Sequence, residues 1–213
     1  MLACIIIVVA AYFLGSIPTG YLAARAKGID IRTVGSGNIG ATNAMRVLGK
    51  PAGITVLLLD ALKGYAAVAW LCPVLLKVFN GSVAEVETLS IVAGIAAVLG
   101  HNFTCWLKFK GGKGIATTGV AYLALAPWAV GVALAAFILA VLLTRYVSIG
   151  SMAAAVALSA TVWCEPGNNR FLGIVTTALA VMAIYKHKSN IKRLMAGTES
   201  RLGKKPETQE ATK

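Results

Sequence analysis

Two stretches of the chain concentrate glycine with hydroxyl, amide and basic side chains in patterns suited to holding oxyanions. The first reads Val34-Gly-Ser-Gly-Asn-Ile-Gly-Ala-Thr-Asn43. Gly35, Gly37 and Gly40 permit positive φ, and successive N–H groups in such a turn form an anion-binding nest. Ser36, Asn38, Thr42 and Asn43 add side-chain partners, and Arg46 and Lys50 follow with positive charge. An ordinary polar loop is also glycine-rich. Phosphate binding is preferred because small hydrogen-bonding residues are dense here and bases lie directly downstream.

The second stretch is Lys110-Gly-Gly-Lys-Gly-Ile-Ala-Thr117. It resembles a nucleotide P-loop but fails its pattern, which needs Ser or Thr directly after the lysine to hold Mg²⁺. Gly114 follows Lys113 instead. The sequence argues against an ATPase and leaves an oxyanion cradle at Gly111, Gly112 and Lys113. A basic loop resting on anionic lipid would explain Lys108 and Lys110, but not the glycine string.

Two further elements carry polar groups. Arg145-Tyr-Val-Ser148 offers a base and a hydroxyl, which serve equally well as an interfacial anchor. In Tyr185–Leu194, helical spacing puts His187, Asn190, Ile191 and Leu194 on one face, with Lys186, Lys188, Lys192 and Arg193 beside it. A polybasic juxtamembrane stretch accounts for the lysines better than for His187 and Asn190. Asp60 and Lys63, three apart in an apolar run, read as a structural ion pair facing protein rather than lipid. The four cysteines show neither a CxxC pair nor zinc-like spacing to His, so no metal or other cofactor is expected. A Cys72–Cys164 bridge stays open.

The elements that carry these groups are set by hydropathy. The 213 residues are 58% hydrophobic and only 13% charged, against about a quarter charged in soluble domains. Mean hydropathy is +0.77. Apolar runs fall at 2–24, 51–76, 88–103, 115–126, 128–144, 149–164 and 171–185. The lack of Lys or Arg before Arg25 argues against a secretory leader. Although the net charge is +12, its distribution argues against nucleic acid. Seventeen of the 20 Lys and Arg lie at Arg25–Lys50, Lys108–Lys113, Arg145 and beyond Tyr185. The gaps at 77–87 and 164–170 hold Lys77 and Arg170 among Glu85, Glu87 and Glu165. By the positive-inside rule the rich gaps face the cytoplasm. A single crossing by 115–144 would reverse that order, so two crossings turning at Pro127–Trp128 are expected. Twelve residues make only about 18 Å of helix against the ~30 Å hydrocarbon core, so these segments are tilted, buried or partly re-entrant.

The expected fold is therefore an all-α, polytopic membrane protein of about seven transmembrane helices, N-terminus outside and C-terminus cytoplasmic. Residues 1–196 form a single membrane domain, and 197–213 a loosely ordered polar tail. All four polar elements fall on one side of the bilayer, which argues for a single site at the cytoplasmic interface.

Residues 35–43, Phe-Lys-Gly-Gly-Lys-Gly (109–114) and His-Lys-Ser-Asn-Ile-Lys-Arg-Leu (187–194) resemble the three signature segments of the bacterial acyl-phosphate:glycerol-3-phosphate acyltransferases, the PlsY family. Gly15-Ser-Ile-Pro18, Leu59-Asp-Ala-Leu-Lys-Gly64, Gly100-His101, Arg145-Tyr-Val-Ser148 and Gly197-Thr-Glu199 are also similar, so the likeness covers nearly the whole chain. Thr104 departs from an expected Pro, and Lys186 and Lys188 from the arginines common beside the His. The resemblance implies a seven-helix enzyme of the bacterial inner membrane with its active site facing the cytoplasm. Such an enzyme transfers an acyl group from acyl phosphate to glycerol 3-phosphate, giving lysophosphatidic acid in the first acylation of phospholipid synthesis. It implies that Ser36, Arg46, Lys113, Ser148 and His187 are catalytic. Gly35, Gly37, Asn38, Gly40, Thr42, Asn43, Gly111, Gly112 and Asn190 are the implied substrate-binding set. The glycine-rich 35–43 segment then takes the donor phosphate, with Arg46, Lys113, Ser148, His187 and Asn190 on the glycerol 3-phosphate side. The bilayer and the two substrates are the expected partners of a monomer.

An acyl phosphate is already activated, so the chemistry needs alignment, charge neutralisation and a proton acceptor rather than an enzyme nucleophile. The sequence suits this: it has no Ser–His–Asp set, and Trp106 stands where an HxxxxD pair starting at His101 would need Asp. Direct transfer with a phosphate oxygen as proton acceptor is expected, and His187 is the reserve base. Two other readings make different predictions. A transporter of phosphorylated metabolites predicts broken mid-membrane helices and symmetric halves. A non-enzymatic lipid-binding factor predicts that lysines matter and glycines do not.

Overall fold

Proline and glycine cut the apolar runs into helices. The computed structural model describes residues 1–167 and 169–203, and every regular element among them is helical. The first run splits into α1 (Leu2–Ser16) and α2 (Thr19–Arg25), because Pro18 has no N–H to continue the ladder. After a glycine-rich loop come α3 (Ala41–Leu48) and α4 (Lys50–Ala66). A π turn over Ala67–Leu71 leads into α5 (Cys72–Val78). Pro73 sits just after that turn, where its ring pushes away the carbonyl four residues back. Then follow α6 (Val83–Asn102), α7 (Ile115–Leu125), α8 (Pro127–Thr144), α9 (Val147–Cys164), α10 (Arg170–Lys186) and α11 (Lys188–Met195).

Among the described residues, five segments are long and apolar enough to cross a membrane: Leu2–Arg25, Lys50–Val78, Ala84–Leu107, Pro127–Thr144 and Val147–Cys164. α7 has 11 residues and α10 has 17. The 115–144 run is broken as expected. The break falls at Ala126, and Pro127 begins α8, a first-turn position where its missing donor costs nothing.

α6 is the most buried of the five spans and ties the bundle together. One face packs with α1 and α5 around Ile7, Ala11, Leu76 and Ala97; another packs with α7–α10 around Ile91, Tyr122, Leu158 and Val162. α1 and α6 touch backbone to backbone. A Cβ on Gly15 would lie 2.0 Å from the Ala97 oxygen, and one on Gly100 would lie 2.1 Å from the Tyr12 oxygen. Small residues permit such crossings where lipid supplies no hydrophobic drive between helices. By contrast α8 is the least buried span. It turns Leu134, Ile138, Leu139, Leu142 and Leu143 outward, as a lipid-facing helix must.

The Asp60–Lys63 pair expected from sequence is present, with Lys63 Nζ 2.8 Å from Asp60 Oδ1 and both residues buried. It mends the α1–α2 break: Lys63 donates to the Ile17 carbonyl at 3.0 Å, and Thr19 donates to Asp60 Oδ1 at 2.6 Å. Broken helices persist in apolar surroundings when polar side chains satisfy the freed backbone groups. All four cysteines are free; Cys72 is buried and accepts from Ser90 Oγ at 3.7 Å, so the open question of a Cys72–Cys164 bridge closes against it.

Candidate active site

The first glycine loop is organised by Asn43, at the start of α3. Its side chain is buried and donates to the carbonyls of Ile31 (3.3 Å), Val34 (3.1 Å) and Asn38 (2.9 Å), while its Oδ1 accepts from Ser36 N at 2.8 Å. Asn38 Oδ1 accepts from Gly40 N at 2.9 Å. Gly35 and Gly37 take φ of +61° and +69°, which L side chains adopt only with strain. Asn38 and Asn43, expected as substrate contacts, thus spend these groups on the loop itself. The amides of Ser36, Gly37 and Gly40 are likewise engaged within it, which departs from a nest of outward N–H groups. Ser36, Thr42 and Arg46 remain exposed.

The second loop docks on the end of α6, where Gly111 N donates to Asn102 O at 3.2 Å and Gly112 N to His101 O at 3.0 Å. A Cβ on Gly112 would stand 2.0 Å from His101 Nε2, so only glycine fits. Lys186, at the end of α10, donates to the Asn102 oxygen at 2.8 Å and lies over the Phe103 ring. The two glycine loops share a cleft of about 430 Å³ lined by Asp30, Arg32, Thr33, Gly37, Ile39, Lys110 and Gly111.

Beyond Gly112 the Lys113 ammonium donates to Asn190 Oδ1. Asn190, buried on α11, donates through Nδ2 to Glu199 Oε1 at 2.6 Å, and Ser148 Oγ donates to the same oxygen at 2.8 Å. Arg193 Nε pairs with the other carboxylate oxygen at 2.7 Å. The segment after α11 lies against the site: Leu202 N donates to Arg145 O at 2.8 Å, and Arg201 Nε to the Tyr146 hydroxyl at 2.9 Å. The first residues of the expected polar tail are thus held against the site, and its residues 204–213 lie outside the described residues. His187 sits at the α10–α11 junction, buried, with Nδ1 2.8 Å from the Ala183 carbonyl. That contact fixes the Nδ1–H tautomer and leaves Nε2 as an acceptor.

The electrostatics follow from this packing. Burial, helped by the Arg193 charge and opposed by Glu199, lowers Lys113 to about 8. Burial and the nearby Lys113 charge lower His187 to about 4. Burial raises the Glu199 carboxyl, but hydrogen bonds from Asn190, Arg193 and Ser148 outweigh it and hold the group below its usual range. Near neutrality the cluster is Lys113 cationic, Glu199 anionic and His187 neutral.

The structure thus brings together Lys113, Ser148, His187 and Asn190 from segments up to 77 residues apart. Ser36 lies in the other loop and Arg46 on α3, and no hydrogen bond among the described residues links them to the cluster. Arg193 and Glu199 belong to the cluster but were not among the expected site residues; Glu199 entered the sequence reading only as part of the family-like Gly197-Thr-Glu199 segment. Their available signal was that Glu199 is the one acid between Lys186 and Arg201.

A helical membrane bundle with two glycine loops and a lysine–asparagine–glutamate cluster now has counterparts. The glycerol-3-phosphate acyltransferase family model matches residues 5–197. The chain belongs to this family. Family relatives include the glycerol-3-phosphate acyltransferase of Trichlorobacter lovleyi, 49% identical over 90% of this chain and 93% of that one. The Geobacter sulfurreducens relative is 47% identical over 94% and 98%. The fold is similar to the crystal structure of PlsY (YgiH), an integral membrane glycerol 3-phosphate acyltransferase, in its glycerol 3-phosphate form. That match has a TM-score of 0.83 and 35% identity, over 94% of this chain and 96% of that one. The lysophosphatidic acid form of the same protein gives a TM-score of 0.80. As a family member the chain is a membrane-integral acyltransferase of phospholipid synthesis, which sets aside the transporter and lipid-anchoring readings.

Proposed function

We propose that this enzyme uses acyl phosphate as its donor and acylates glycerol 3-phosphate directly, releasing inorganic phosphate and lysophosphatidic acid. The observation that carries the reading is the Lys113–Asn190–Glu199–Ser148 cluster beside a polar cleft shared by both glycine loops. Two anionic substrates need two cationic, donor-rich seats. The cleft at Gly37, Lys110 and Gly111 suits the donor phosphate, with Ser36 on its rim. Lys113, Ser148 and Asn190 suit the acceptor phosphate, and the exposed Arg46 closes on it. Glu199 holds the donors of Ser148, Asn190 and Arg193 in place, and its charge favours the protonated lysine.

In the transfer step a glycerol hydroxyl oxygen attacks the acyl carbon. The new ester C–O bond forms as the bond from carbon to the phosphate oxygen breaks, and the hydroxyl proton leaves on the phosphate. His187 is a weak base at a pKa of about 4, since an efficient general base titrates near the working pH. That favours a phosphate oxygen as proton acceptor and gives His187 an orienting role. The protein would need no cofactor and act as a monomer. Five span-length segments among the described residues, the shorter apolar α7 and the 17-residue α10, together with the bias of basic residues, support seven crossings in the bacterial inner membrane. The N-terminus then lies outside and the site faces the cytoplasm.

Mixing the purified protein with glycerol 3-phosphate and either palmitoyl phosphate or palmitoyl-CoA tests the donor. Lysophosphatidic acid should form from palmitoyl phosphate alone; formation from the thioester at equal rate would refute the assignment. Labelling from either side of sealed vesicles should find 35–43 and 109–114 on the same face. Opposite faces would remove the shared cleft.

A further inference from the structure

We propose that His101, braced by Asp60, is a positioning residue for the loop that presents Lys113. The inference rests on the reading of Lys113 as the acceptor-phosphate group. Asp60, Lys63 and His101 are all buried. Ionisable groups at membrane depth are costly and are retained for a reason. Repair of the α1–α2 break accounts for Asp60 and Lys63, which satisfy Thr19 and the Ile17 carbonyl. It does not account for His101.

His101 Nδ1 stands 3.5 Å from Asp60 Oδ1 and has no hydrogen-bond partner of its own. The other edge of the ring faces Gly112, with Nε2 where a side chain on that glycine would start. The His101 carbonyl also receives Gly112 N at 3.0 Å. One residue therefore holds Gly112 through both its ring and its backbone, and the next residue is Lys113. Thr19 on α2, Asp60 on α4, His101 on α6 and the glycine loop form a continuous chain of contacts. It ends at the cation in the site, and Thr19, Asp60 and His101 do not themselves line the cleft. Displacement by about 1 Å of a group that aligns substrate can cost on the order of a hundredfold in rate.

The test uses kinetics of the full-length protein in detergent, with thermal unfolding followed for each variant. His101→Asn keeps an amide near Asp60 but withdraws from Gly112, whereas His101→Gln reaches toward Gly112 but gives up Asp60. Each should lower kcat/KM for glycerol 3-phosphate by roughly tenfold to a hundredfold, chiefly through KM, with a smaller rise in KM for the acyl donor, whose cleft Gly111 also lines. Combined with Lys113→Ala, either variant should add no further loss, because His101 acts through that lysine. Losses that multiply in the double variant, as independent sites do, would overturn the proposal, as would equal KM changes for both substrates. A fully active Lys113→Ala would sink the reading of Lys113 itself, and the His101 inference with it. If the single His101 variants do not fold, a second arm decides. Gly112→Ala should be nearly inactive, and adding His101→Ala should restore part of its activity by making room for the methyl group. Absence of any restoration would refute ring-to-glycine positioning.

Discussion

If Lys113 binds the acceptor phosphate as a cation, activity must follow its protonation, and the direction is fixed by the structure. Burial brings this lysine to about 8, well below the usual ~10.4. Only its protonated form attracts phosphate, so the contribution is full below about pH 8 and lost as pH rises through that value. The glycerol 3-phosphate phosphate has a second pKa of about 6, and His187 titrates at about 4. Neither changes charge in the same window. For the free enzyme, kcat/KM should then fall about tenfold per pH unit above the lysine pKa. The total drop is bounded by the worth of one charged hydrogen bond, about 1.5–3 kcal/mol or roughly ten- to a hundredfold. Two variants sharpen the assay. Lys113→Arg carries a charge that does not titrate in this range, so its alkaline limb should vanish even if its plateau is lower. Glu199→Gln removes the charge that opposes desolvation of the lysine, so its limb should move to lower pH. The measurement is initial-rate kinetics at subsaturating glycerol 3-phosphate across pH 6.5–10, taken as roughly the window set by these groups. Acyl phosphate hydrolysis is subtracted at each pH. A wild-type plateau that persists two units above the lysine pKa, or an unchanged limb in Lys113→Arg, would refute the argument.

Further outcomes follow from the same geometry. Asn190→Leu should sever Lys113 from Glu199 and leave a half-buried carboxylate short of a donor, costing about 1–3 kcal/mol of stability and nearly all turnover; a variant with normal rate would contradict the cluster. Ser148→Ala removes one hydroxyl and should raise KM for glycerol 3-phosphate by roughly fivefold, about 1 kcal/mol, with little change in thermal unfolding. Gly37→Ala forces a methyl group onto a φ of +69° and should cost about 1–2 kcal/mol locally, seen as a raised KM for acyl phosphate rather than for glycerol 3-phosphate. A chain ending at Gly203 should keep its activity, whereas one ending at Ala196 loses Glu199 and should be inactive.

Much of the bundle was legible from composition because lipid imposes a coarse rule: long uncharged runs become helices. The same rule hides breaks inside a run. Residues 2–24 and 51–76 read as single spans. Pro18 nevertheless splits the first, and the turn before Pro73 opens the second, because proline acts locally through a missing donor. In the site, Lys113, Ser148, His187 and Asn190 could be picked out because polar residues stand out where apolar runs end. Asn43 could be seen too, yet its role could not. Whether an amide faces a ligand or its own loop depends on the turn that Gly35 and Gly37 allow. Glu199 was harder still, since it lies in a polar segment without periodicity and its partners come from α9 and α11.

The short helix α7 has a consequence for where the reaction takes place. With 11 residues it rises about 16 Å, whereas its neighbour α8, with 18, rises about 27 Å from the same turn. The shortfall of roughly 10 Å is taken up by the glycine loop that precedes α7; were the two helices to cross the bilayer side by side, that charged loop would form a floor below the headgroup plane. A long-chain acyl donor can meet that floor with its tail still among lipid tails. Pulling such a chain into water would cost about 0.8 kcal/mol for every methylene exposed, and a sunken floor spares the reaction that penalty.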